Sequence, residues 1–313
     1  MLGTGGAIAL ARPAVAQQAW PSRPVEVVVG FAPGGSTDVL ARILSPFLEA
    51  EIPGLRMTIL NRPGAGGETA YVALQSARPD GYTLGFVNTP GFLSLPVERR
   101  VRYDPDQIRP IARLVDDPAI FAVGRDSPFR GLADVVAQAR RDPESISVGT
   151  PGIGTGAHLG VTLFEAAAGI KLIHVPYAGA GPAKTALLAQ HVQIACMGLS
   201  ELSIGGDRGM LRTLASMSDA SSEMAPGVAT FREQGFDVLM THGRGLAVPR
   251  GVPDDIVSRL SDALRRVMSN PAWLEKARQI ELPLSYETGE AWHTEMRIQE
   301  VRLRRIWDTT PWR

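Results

Sequence analysis

A single cysteine, few aromatic residues and no surplus of either charge mark this 313-residue chain. Each shortage removes a class of function. Cys196 stands alone, so neither an internal disulfide framework nor a cysteine-cluster metal site can form. It sits in the apolar run VQIACMG, which reads as a buried, inert thiol and not as a nucleophile. The 32 basic residues are matched by 32 acidic ones, which argues against a nucleic-acid or acidic-membrane partner. The five histidines fall at no H-x-x-x-H or H-E-x-x-H spacing, so no metal is expected. No G-x-S-x-G elbow occurs. The turn at Gly152 and Gly154 lacks the full G-x-G-x-x-G fingerprint, and His174 and Tyr177 stand where an acidic residue would end the next strand. No cofactor is therefore expected.

What the chain does have is glycine at chosen places. Residues 27–42 read VVVGFAPGGSTDVLAR. An apolar strand breaks at Pro33-Gly34-Gly35, and Ser36, Thr37 and Asp38 then open a helix. Hydroxyl and carboxyl residues in a first turn are good caps, and Asp38 reads as a first-turn acid that favours the helix dipole. The free N–H groups of such a helix attract an anion. No lysine or arginine lies between Arg23 and Arg42, so an anion held here would rest on backbone amides and hydroxyls. A second copy follows at residues 146–164, ISVGTPGIGTGAHLGVTLF. Two such turns, far apart in sequence, suggest two lobes whose helix N-termini face one ligand across a cleft, and the length suits two lobes.

The first part of the chain alternates strand and helix, with a third glycine turn in NRPGAGG, so right-handed βαβ units and a parallel sheet are expected. Asn88 closes the third strand at the C-terminal edge, where ligands of open parallel sheets bind. Residues 99–117 read as a charged, proline-broken connection. Ala119 to Val123 reads as the crossing into a second lobe, and Gly245 to Pro249 as the return. The α/β chain then divides into an N-terminal tail, 1–19, a first lobe made of 20–118 and 246–313, and an inserted lobe, 119–245. Ala14-Val15-Ala16 fits a signal-peptidase site and Arg12 lies close to it, which suits the end of an export signal of twin-arginine type whose start lies upstream of Met1. No later run approaches the roughly 18 apolar residues of a membrane span.

Several segments in this order, WPSRPVEVVVGFAPGGSTDVLAR, NRPGAGG, ARPDGYTL, VGTPGIGTGAHL, HVPYAGAGPA and GLAVPRGVP, give the chain its family likeness. It resembles the Bug-type extracytoplasmic solute receptors, the binding components of tripartite tricarboxylate transporters. The resemblance implies a type II periplasmic-binding-protein fold that closes on a small carboxylate: a di- or tricarboxylate, an acidic amino acid or an aromatic acid. It implies a periplasmic, monomeric receptor that hands its ligand to membrane permease subunits, with no catalysis. A receptor that informs a sensor, and a two-lobe transferase, are the alternatives. Carried over, the ligand-binding residues are Phe31, Ala32, Gly35, Ser36, Thr37 and Asp38 in the first loop and Thr150, Gly154, Thr155, Gly156, Ala157 and His158 in the second. Asn88 and Ser200 join them at strand ends. For His158 a ligand contact and a capping role both stay open, whereas His174 reads as a satisfied core histidine. Two departures stand out. Gln190-His191 replaces the family's glycine pair, and Arg244 stands near the usual aromatic position. Arg244 is either a surface arginine at the hinge or a cleft cation.

Overall fold

The computed structural model describes residues 20–204, 208–220 and 226–312; the expected export signal lies outside them. The first lobe begins with β1 (Val25–Val29), α1 (Ser36–Glu51), β2 (Met57–Asn61), α2 (Glu68–Gln75) and β3 (Thr83–Asn88). β1 pairs in parallel with both β2 and β3, the arrangement that right-handed crossovers produce. α3 (Gly91–Glu98) follows, and then β4 (Ile108–Gly124). The second lobe adds α4 (Leu132–Arg141), β5 (Ser147–Thr150), α5 (Gly156–Ala168), β6 (Ile173–Pro176), α6 (Ala180–Leu188), β7 (Ile194–Gly198) and β8 (Leu211–Ser216). The chain returns through β9 (Thr241–Pro249) and ends in α7 (Asp254–Met268), α8 (Pro271–Gln279), β10 (Leu284–Thr288) and α9 (Gly289–Thr309).

The strands order as β2-β1-β3-β9-β4-β7-β5-β6, with β8 and β10 also on β4. β4 carries the architecture. Its first part, Ile108 to Pro118, pairs antiparallel with β9 from Pro249 back to Thr241. Its last part, Ala119 to Gly124, pairs with β7 and β8. One strand thus belongs to both lobes.

This corrects the expectation of an irregular connection over 99–117. Pro110 and Pro118 break the strand pattern in the sequence, since proline removes a ladder donor. In the structure the register shifts between Pro110 and Ala112 and again between Arg113 and Val115, and these bulges absorb the interruption. α3 also escaped the sequence reading, because Pro96 lies inside it.

Each lobe has its own core. In the first, Val27, Val29, Leu40, Leu44 and Leu84 pack with Leu260, Leu264 and Trp273. In the second, Phe121, Phe164 and Phe231 meet edge to face around Val148 and Cys196. Burial raises the pKa of the Cys196 thiol, as its apolar run suggested. Gln190 adopts φ +59°, a conformation that costs a residue with a Cβ more than it would cost glycine. Among the described residues no helix is long and apolar enough to cross a membrane.

Candidate functional site

β1 delivers the chain to the turn 31–35, where Gly34 sits at φ +85°, a conformation glycine adopts without strain. Gly35 occupies the N-cap position of α1 and has no side chain to cap it. The cap comes from the other lobe: Ser36 N–H donates to Glu201 Oε1 at 2.8 Å, across 165 residues of sequence. Asp38 serves its own loop. It accepts from Gly34 N at 2.9 Å and from Arg42 Nε at 3.0 Å, and Asn61 Nδ2 donates to it at 2.9 Å. Burial opposes its charge, but Arg42 and these donors more than offset that, and its carboxyl lies below the usual range.

The second turn is built alike. Gly152 and Gly154 take φ +138° and +74°, and Thr155 caps α5, accepting from His158 N and donating to Gly152 O at 2.7 Å. His158 Nδ1 accepts from Gly154 N at 3.1 Å, so this imidazole holds the loop. Its ring stacks on His174 at 4.0 Å, and His174 Nε2 lies 2.6 Å from Thr150 Oγ1. Burial, with the neighbouring His174, pushes the His158 pKa down to about 3. Burial alone lowers His174 to about 4. Both rings are neutral near pH 7.

Between the two turns lies a cavity of about 50 Å³. One water needs roughly 10–15 Å³ on the same scale, so the space suits a compact guest. The first lobe lines it with Phe31, Gly35, Ser36, Thr37, Asn88, Thr89 and Gly91. The second adds Pro151, Thr155, Gly156, Ala180, Gly198 and Glu201, and β9 adds His242 and Arg244. The lobes also meet beside it: Ala32 N donates to Ala178 O at 3.0 Å, and Ser94 Oγ to Gly154 O.

The seven expected residues that border this cavity are Phe31, Gly35, Ser36, Thr37, Asn88, Thr155 and Gly156. The other seven stand behind its wall. Ala32 gives its amide to the cross-lobe bond, Asp38, Thr150, Gly154 and His158 brace the loops, and Ala157 is buried in the second core. Ser200 Oγ donates to Asp117 Oδ2 at 2.7 Å.

Of three charged or titratable residues at the cavity, Glu201 and His242 escaped the sequence reading and Arg244 stayed open in it. Arg244, open there between surface and cleft, is a cleft residue only 4% exposed, and its Nη2 donates to the fully buried Asp117 at 2.8 Å. The idea of an anion site without a fixed counter-charge is thereby corrected. Glu201 is fully buried beside Arg244. Burial raises its pKa, while Arg244 and the hydrogen bonds from Ser36 oppose the rise. His242 is lowered to about 4, by burial first and by Arg244 second. Of the two that escaped, only Glu201 carried a local hint, its place next to Ser200 at the end of an apolar strand.

The sequence profile of the tripartite tricarboxylate transporter family receptors matches residues 47–301. A protein from Cupriavidus necator, described as UPF0065 protein in gbd 5'region, is 31% identical over 285 residues, covering 90% of this chain and 85% of its own. The structure of the periplasmic binding protein BugD superposes with a TM-score of 0.87 at 26% identity, over 93% of this chain and 98% of its own. An R. palustris protein solved with adipate gives a TM-score of 0.87 at 25% identity and the same coverage. The fold is thus that of the periplasmic binding proteins.

Proposed function

Because this chain belongs to the tripartite tricarboxylate transporter receptor family, we propose that it captures a small carboxylate in the cleft between its lobes and delivers it to membrane permease subunits. The observation that carries this reading is the meeting of two helix N-termini, α1 at Ser36 and Thr37 and α5 at Thr155 and Gly156, on one cavity that also receives Arg244. Helix N-termini and a guanidinium both favour a carboxylate. The adipate held by the R. palustris relative supports the same ligand class. The protein acts as a periplasmic monomer after export and performs no chemistry on its ligand.

Residues 20–118 with 246–313 form one moving body and 119–245 the other. The change of partners along β4 at Pro118 and Ala119 supports that division. The ligand stabilises the closed form by touching both bodies, and only such differential contact can shift the equilibrium. In a thermal-shift screen of mono- and dicarboxylates on the full chain, a ligand at 100 times its Kd adds about 2.7 kcal/mol of stability. At least one acid should raise the melting temperature, and the same acid should shrink the radius of gyration in X-ray scattering. Failure of every small acid to do either would remove the carboxylate reading.

A further inference from the structure

The cavity wall carries hydrogen-bonding groups that the protein itself leaves unused. Among the described residues, Glu201 Oε2, Asn88 Oδ1, His242 Nδ1 and Arg244 Nη1 are buried without a hydrogen-bond partner, and all four residues line this one cavity. Buried polar atoms are almost always satisfied, so four orphans around one space describe what that space accepts. Asn88 Oδ1 and, when its carboxyl is ionised, Glu201 Oε2 can only accept, and Arg244 Nη1 can only donate. His242, with its pKa lowered to about 4, is neutral and offers one role or the other.

The charges narrow the guest further. Among the described residues that line the cavity, Arg244 is the one cation, and it faces Asp117 and Glu201, which leaves one surplus negative charge at the wall when both acids are ionised. The two helix N-termini contribute roughly half a positive charge each. The wall is therefore close to neutral before a guest enters. A dianion would add two unmatched charges and a plain monoanion one, in a buried place where unmatched charge is costly. A zwitterion adds none. Glu201 already takes one amide of the α1 N-terminus, Ser36 N at 2.8 Å, an amide a second carboxylate of the guest would otherwise share.

We propose that Glu201 and Arg244 make this receptor selective for a compact zwitterion, a short neutral amino acid whose ammonium meets Glu201 Oε2 and Asn88 Oδ1 and whose carboxylate meets Arg244 Nη1 and the N-terminus of α5. The inference rests on the carboxylate reading above and names its substrate class.

Isothermal titration of the full chain with two size-matched pairs tests it: glycine against acetate, and L-alanine against propanoate. The members of each pair differ in the amine alone. The amino acid should bind at least about tenfold more tightly, the usual scale of a charge-assisted hydrogen bond. In Glu201→Gln that preference should fall to within about threefold. Equal affinity within both pairs, or an unchanged preference in the variant, would overturn the proposal. Tighter binding of malate or adipate than of either amino acid would overturn it and leave the carboxylate reading standing. No binding by any of these acids would overturn it too, and the thermal-shift screen would then decide the carboxylate reading. The comparison within the unmodified chain decides the matter even if the variant does not fold.

Discussion

At the scale of single residues, the histidine pair behind α5 is the most exposed to pH. His158 and His174 are neutral, stacked and hydrogen-bonded to the loop they brace. Their pKa values in the folded chain, about 3 and about 4, lie below the unfolded value of 6.5. Between those limits the unfolded chain binds more protons, so stability is full above pH 6.5 and falls as the pH drops toward 4. Each ring costs up to about 1.4 kcal/mol per pH unit in that window. Urea unfolding at pH 7 and pH 5 should show the loss. In His174→Phe the difference between the two pH values should shrink by about 1 kcal/mol, although the variant starts less stable. These side chains also mark what single residues reveal in sequence. For His158, placed right after a glycine turn, a ligand contact and a capping role both stayed open. His242 announced nothing, and Arg244 stayed open between surface and cleft, because their neighbours in the chain are not their neighbours in space.

At the scale of elements, the two glycine turns were legible because their cause is local. Positive φ at Gly34, Gly152 and Gly154 and a hydroxyl N-cap at Thr155 are dictated within a few residues. The cap of α1 was not legible. Ser36, Thr37 and Asp38 looked sufficient, yet the group that meets Ser36 N is Glu201, held on a short turn after β7 whose Glu201 carbonyl accepts from Lys184 Nζ at 3.2 Å. β4 was hidden for another reason: its bulges let a strand run on past Pro110. The end of β7 shows how closely such elements are fitted. A Cβ on Gly198 would stand 2.1 Å from Asp117 Oδ2 and 2.8 Å from Arg244 Nη2. Gly198→Ala should therefore split the buried ion pair, costing about 3 kcal/mol of stability, and should weaken ligand binding as well. Gly124→Ala, at the end of β4 where nothing lies within 4 Å of the added carbon, should stay within about 0.5 kcal/mol of the parent chain. Chemical denaturation of both variants checks the pair.

At the scale of the whole molecule, the packing of both lobes shares one continuous strand, and the cavity lies where the lobes press together. The two glycine turns and the chain length suggested two lobes. That one strand would serve both could not be read from them, since strand pairing is a long-range property. One modest feature of the second core now gains a use. Cys196 is the sole thiol, fully buried in the middle of β7, and burial raises its pKa. A thiol reagent can reach it only when the inserted lobe opens, so the rate of labelling is a clock for that lobe alone, blind to fraying elsewhere. A saturating carboxylate that bridges the lobes should slow this clock by about tenfold or more, timed by mass spectrometry of the labelled chain. The same protein would then report its own occupancy without any engineered probe.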